Sequence, residues 1–424
     1  MPRIAIPCGR SSLELAFTPE QGERITLLSA PALPPLADAT GAVEQSLAAP
    51  LAGPPLSELA QGKTSACVVV SDITRPVPNS LLLPPLLAAL ERAGVPRDGV
   101  TILIATGMHR PNTGPELAGL LGPEVAGAYR VVNHDCRDSA ALEQVDAIAG
   151  TPISINRLYL EAQLKITTGL IEPHPFAGFS GGAKSILPGL ASLESMRHMH
   201  SFAMVDDPRL GAARITGNPF QDQVRRVAAR TGLDFMLNVV IGQEREILGV
   251  FAGSFPAAFD QGCALAARQM VVRVNEPFDL VVTGSGGHPL DATLYQSSKG
   301  LIAARAVTRP GGAVLWVAGC AEGMGSAEYC DMVATCATPQ GFRERHAHPR
   351  HFVVDQWGAQ VYFQCLEHLG RVLLHSPGIA PGQAASFGLT HAPDLARDWQ
   401  DLLATHARVA VMPEGPYLCP VLDA

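Results

Sequence analysis

Short apolar runs that end in glycine or polar residues recur along the whole chain, and they predict the strands of a largely parallel α/β fold. Arg3 to Phe17 alternates apolar and polar positions around the turn Cys8-Gly9-Arg10-Ser11, the pattern of a hairpin. After an Ala/Pro/Leu-rich stretch from 28 to 60 come ACVVVSDITRPVPN, VTILIATGMHRPNTGPEL and LKITTGLIEPHPFAGFSGGAKS, each an apolar strand that gives way to a polar loop. Among them LLLPPLLAALERAG, NTGPELAGLLG and GNPFQDQVRRVAARTG carry helical spacing or helix-start signals. Strands alternating with helices in this way predict a parallel sheet.

A helical stretch, FAGSFPAAFDQGCALAARQM, then leads into fresh strands: FDLVVTG, GGAVLWVAG, VLLHSPGI and ARVAVMP. At 424 residues the chain exceeds what one hydrophobic core usually supports. The reading is therefore two α/β domains, residues 1–270 and 271–424, with the active site in the cleft between them. Whether the last residues, PEGPYLCPVLDA, return to the first domain is left open.

Composition narrows the function. Hydrophobic content of 47% with 17% charged residues describes a packed globular protein, and a formal charge of −8 gives no electrostatic footprint for nucleic acid or an anionic membrane. The 9 cysteines form no C-x-x-C pair, which argues against a disulfide framework or a thiolate zinc site. No apolar run approaches the roughly 20 residues needed to span a bilayer. The cytoplasm is the expected compartment.

In open α/β sheets ligands sit beyond the carboxyl ends of the strands. Asp72, Arg75, His109, His174 and Lys184 all follow predicted strands there. Asp72 and Arg75 read either as a local ion pair in a Pro-stiffened turn or as a guanidinium fork for a carboxylate. The stretch SGGAKS approaches the phosphate-loop pattern, but Ala183 stands where that pattern has glycine. His198 and His200 lie two apart and cannot share a helix face, so one of them at most points with Lys184. Further on, Gln296 and Lys299 are spaced to share a helix face, next to Tyr295. His288 carries no assigned role, His346, His348 and His351 read as an exposed loop, and Trp357 reads as a core residue or an aromatic wall.

In this order the motifs SDITRP, ATGMHRP, EPHPFAGFSGGAKS, RHMH and LYQSSKG, with Trp357, resemble the nickel-dependent lactate racemase family over essentially the whole chain. The resemblance implies a nickel-pincer nucleotide (pyridinium-3-thioamide-5-thiocarboxylic acid mononucleotide with nickel) attached covalently to Lys184. Its metal would be held by cofactor sulfurs and a ring carbon, with His200 as the protein ligand and Ser180, Gly181 and Gly182 as backbone contacts. Dedicated biosynthetic enzymes would have to supply it.

The same resemblance implies inversion at C2 of a 2-hydroxy acid by reversible hydride transfer through a transient 2-keto acid. Hydride removal suits this substrate, because a carbanion beside a carboxylate is very costly. His109 and His174 would be the acid/base groups on the two faces. Arg75 and Lys299 would hold the substrate carboxylate, Asp72 would orient Arg75 or a histidine, and Gln296, Tyr295 and Trp357 would line the pocket. No further cation in these motifs offers itself to a second carboxylate, which favours a short, lactate-like substrate, although Arg110 or Arg214 would recharge the pocket if they entered it. The alternatives are a C2 epimerase of a longer polyhydroxy acid, a non-catalytic nickel-nucleotide binding protein, and a phosphate-loop nucleotidase.

Overall fold

The computed structural model describes residues 1–348, 351–353 and 355–423. The chain divides into two compact units. One comprises residues 32–200 and 207–269, the other residues 1–31, 201–206 and 270–424.

The first unit is built on a six-stranded sheet in the order Ile247–Gly253, Phe235–Ile241, Leu164–Leu170, Ala66–Ser71, Val100–Ala105 and Arg130–Asn133. The first pair is antiparallel and the rest are parallel. Val68, Val70, Ile102, Ile104 and Ile166 are fully buried, which is why these strands read as continuous apolar runs rather than as alternation. The helix Asn79–Arg92 covers the sheet with Leu82, Leu83, Leu86 and Leu90. The amphipathic helix Pro219–Thr231 starts where the Asn218 side chain accepts from the amides of Phe220 and Gln221, and stops at Gly232 with φ +77°. The parallel central strands point their carboxyl ends the same way, so Asp72–Pro78, Thr106–Pro111 and the long loop after Leu170 emerge together.

The second unit holds another six-stranded sheet, all parallel: Thr390–His391, Arg371–His375, Thr308–Val317, Phe278–Gly284, Val409–Met412 and Ile25–Leu27. The expected N-terminal hairpin is present, Arg3–Cys8 against Ser11–Ala16. It belongs to this unit, and Trp399 Nε1–H donates to the Ala16 carbonyl at 2.8 Å. The first 31 residues thus group with the C-terminal part of the chain rather than with residues 32–200 and 207–269. The last strand, Cys419–Leu422, pairs with Val271–Val274 inside this same unit. Among the described residues no helix is long and apolar enough to cross a membrane, and the nine cysteines are unpaired, eight of them buried.

Candidate active site

Asp72 follows its strand directly and is 4% exposed. One carboxylate oxygen accepts from the Thr74 hydroxyl at 2.6 Å, the other from His109 Nδ1–H at 2.6 Å. Burial alone would raise its pKa, but these hydrogen bonds outweigh it and hold the carboxyl below its usual range. The His109 ring is anchored at one end and more than half exposed, on a turn closed by its own N–H to the Thr106 carbonyl. Of the two partners open to Asp72 from sequence, the structure selects the histidine. Arg75 turns the other way and donates to Glu172 at 2.8 Å.

The loop after the Leu164–Leu170 strand folds back on itself through the short pairing of Pro173–His174 with Gly178–Phe179. His174 is half-buried, edge-on to Phe176 at 4.4 Å, and its Nδ1 accepts from the Ala177 N–H at 3.2 Å. Ser180 spends its hydroxyl on the Leu170 carbonyl, 2.9 Å away. Gly181 and Gly182 have φ of +83° and +55°. A Cβ on Gly182 would lie 2.7 Å from the Phe259 ring, and the Gly182 N–H donates to Asn238 Oδ1 at 2.6 Å. Protein packing therefore already accounts for these two glycines. Lys184 then sits in the 3₁₀ turn Gly182–Ser185, and the next helix begins only at Leu193. A phosphate loop needs a helix N-terminus at this point.

Lys184 as a whole residue is half-buried, but its amine lies in desolvated surroundings 6.0 Å from the centre of the Phe220 ring. Burial, then the charge of Arg75, lower its pKa from 10.5 to about 7, against an opposing pull from Glu172. His200 caps the C-terminus of the helix Leu193–Met199 and is 7% exposed. Its Nδ1–H donates to the Met196 carbonyl at 3.0 Å, which places the lone pair of the neutral ring on Nε2. Phe176 and Phe220 lie edge-on to it at 5.7 and 6.1 Å. Burial pushes its pKa down to about 4, with the Met196 bond opposing and the charges of Lys184 and His109 adding to the fall. His198, by contrast, pairs with Gln223 at 2.9 Å.

In the other unit, Gln296 and Lys299 are exposed side by side on the helix Leu294–Val307, whose first turn Thr293 caps. Tyr295 is half-buried, stacked edge-on against Tyr329 at 4.8 Å and hydrogen-bonded to Asp355. Burial, and then that carboxylate, push the phenol pKa up. Asp355 precedes the helix Gln356–His368, and Trp357, half-buried, stands on that helix's first turn. Tyr295 is thus tied to the segment that carries Trp357.

The structure brings Asp72 to His109 and sets Arg75, His200 and Lys184 within one electrostatic neighbourhood. His346 is buried and stacked on Phe342 at 4.8 Å, a correction to the exposed-loop reading. His351 bonds the Arg345 carbonyl, and Pro349 and Arg350 of that stretch lie outside the described residues. His288 lies 2.9 Å from Arg10. Glu172, Phe176, Phe220 and Asp355 escaped the sequence reading. Glu172 had a signal, since it directly precedes Pro173-His174 in a strand-end loop, whereas the others acquire meaning only through tertiary contacts. Among the described residues no three His, Cys, Asp or Glu side chains gather to hold a metal ion.

Comparison with known proteins places the chain in a family. Residues 9–213 match the lactate racemase N-terminal domain, and residues 274–418 match the lactate racemase C-terminal domain. The lactate racemase of Lactiplantibacillus plantarum is 34% identical over 379 residues, 88% of this chain and 89% of that protein. That of Thermoanaerobacterium thermosaccharolyticum is 32% identical over 427 residues, 98% of each. The lactate racemase apoprotein structure from T. thermosaccharolyticum superposes with a TM-score of 0.90 at 31% identity, covering 99% of this chain and all of that one. A Thermotoga maritima protein, at 19% identity and a TM-score of 0.64, shares the fold. With both domains matched and the similarity running through nearly the whole length, this chain belongs to the lactate racemase family, isomerases that act on 2-hydroxy acids.

Proposed function

We propose that the protein racemises a short aliphatic 2-hydroxy acid of the lactate type, using a nickel-pincer nucleotide carried on Lys184. The observation that supports this most is the opposed setting of two histidines. Asp72 takes the Nδ1–H of His109, leaving the lone pair on Nε2, while the Ala177 N–H occupies Nδ1 of His174, leaving the proton on Nε2. One ring is set to accept a proton and the other to give one, as inversion through a 2-keto acid requires.

The residues suit the cofactor that the family implies. A desolvated amine with a pKa near 7 is largely uncharged under mildly basic conditions and can be linked covalently. His200 offers one oriented nitrogen, which suffices for a metal that brings its other ligands with it. When bound, that group supplies an acceptor for the C2 hydride. The protein does the rest. His109 takes the hydroxyl proton, and Asp72 keeps the ring oriented and stabilises its cation. His174 serves the opposite face. Arg75, steadied by Glu172, offers donors to the carboxylate.

A short monocarboxylate is favoured because Arg110 and Arg214, the two cations named above as able to recharge the pocket, are engaged. Arg110 grips Glu116 through two bonds of 2.6 and 2.8 Å, and Arg214 donates to the Pro208 carbonyl at 3.2 Å. The test uses 2-deuterated L-lactate in ordinary water with nickel-loaded enzyme. The expected D-lactate keeps its deuterium, because the hydride returns to the carbon it left. Loss of deuterium to solvent would mean proton abstraction at C2 and would refute the mechanism, and inertness toward lactate with turnover of a polyhydroxy acid would refute the substrate.

A further inference from the structure

We propose that His134 is a positioning residue for this reaction: its buried imidazole locks the loop that bears His109 to the segment that leads into His200. It rests on the roles proposed above for those two histidines. His134 directly follows the strand Arg130–Asn133 and is 3% exposed.

Its main chain faces one loop. The His134 N–H donates to the Ile104 carbonyl at 3.0 Å, and its own carbonyl accepts from the Thr106 hydroxyl. Thr106 in turn receives the His109 N–H at 2.9 Å, so the turn that presents His109 hangs from the backbone of His134.

Its ring faces the other segment. Nε2–H donates to the Ala191 carbonyl at 3.0 Å, and Nδ1 accepts from Asn156 Nδ2 at 3.0 Å. Ala191 immediately precedes Ser192, the N-cap of the seven-residue helix that His200 closes. A ring that donates on one side and accepts on the other must be neutral. Burial agrees with this by lowering its pKa, although the Ala191 bond and Asp135 pull the other way.

The surrounding bonds explain why one side chain can matter here. Gly107 N–H meets the Gly189 carbonyl at 3.1 Å, Asn156 N–H the Leu190 carbonyl at 3.0 Å, and Leu193 N–H the Cys136 carbonyl at 2.8 Å. Ser192 N–H also meets the Ser154 carbonyl at 2.9 Å, so main-chain bonds bracket Ala191 on both sides. The His134 ring adds the bond to the Ala191 carbonyl itself. Without it a buried carbonyl and the Asn156 amide lose their partner together, a local penalty large enough to open the segment.

The test compares His134→Gln and His134→Asn. Glutamine can place an N–H where Nε2 was, whereas asparagine reaches only the Nδ1 position. Two quantities are measured: amide hydrogen exchange of residues 187–199 in the chain produced without cofactor, and kcat and KM of the nickel-loaded enzyme. In H134N the exchange should rise about tenfold while peptides of the central strands stay unchanged. Its kcat should fall about tenfold, with KM within about twofold and nickel content unaltered. H134Q should restore both exchange and turnover. Wild-type exchange in H134N, or faster exchange with undiminished kcat, would overturn the proposal. So would equal losses in both variants that track loss of folded protein. A wild-type enzyme inert toward lactate would sink the substrate reading instead, and the exchange rates would still decide whether the clamp exists.

Discussion

Replacing Lys184 by Met in the chain produced without cofactor should stabilise it, and by an amount that depends on pH. The amine's pKa falls from 10.5 in the unfolded chain to about 7 in the folded one, chiefly through burial. At 1.36 kcal/mol per unit this corresponds to at most about 5 kcal/mol against folding. The sign follows from proton uptake. Between pH 7 and 10.5 the unfolded lysine holds a proton that the folded one has shed, so wild-type stability rises with pH across that window. Below pH 7 both states are protonated and the full penalty persists. K184M has no such group, so its advantage is greatest at and below pH 7 and fades toward pH 10.5. Urea unfolding of both proteins at several pH values reads this directly. The expected result is two curves that converge as pH rises. Parallel curves, or a K184M chain less stable than wild type at pH 7, would refute the claim that the amine is desolvated.

Other perturbations probe the remaining parts of the site. Asp72→Asn removes the charge that stabilises the His109 cation and should lower kcat about a hundredfold or more, with nickel retained, by steady-state kinetics and metal analysis. Glu172→Gln frees Arg75 from its anchor and should raise KM for lactate about tenfold with a smaller change in kcat. Gly182→Ala forces a side chain into φ +55° and against Phe259, and a loss of about 2 kcal/mol or more is expected from thermal unfolding of the chain lacking cofactor.

Much of the first unit could be read from sequence because its strands are buried on both faces and end in polar loops. The runs ACVVVS, VTILIA and LKITTGL coincide with strands, and their carboxyl ends deliver Asp72, His109 and the loop of Lys184 together. The strand Phe235–Ile241 was not drawn from the pattern, although FMLNVVI is as apolar as its neighbours. Nor was Ile25–Leu27, a three-residue edge strand whose partner, Val409–Met412, lies at the far end of the chain. No local periodicity encodes such a pairing. The same holds for His134: a histidine after a strand has no distinctive spacing, and only the fold shows what it holds.

The most direct test of the central claim is peptide mass mapping with nickel analysis of protein made alongside the cofactor-assembly enzymes, followed by a lactate racemisation assay on the same sample. The account predicts a mass increase confined to Lys184, bound nickel, and interconversion of D- and L-lactate that K184M lacks. Racemisation by a chain whose Lys184 is unmodified, or by K184M itself, would contradict it.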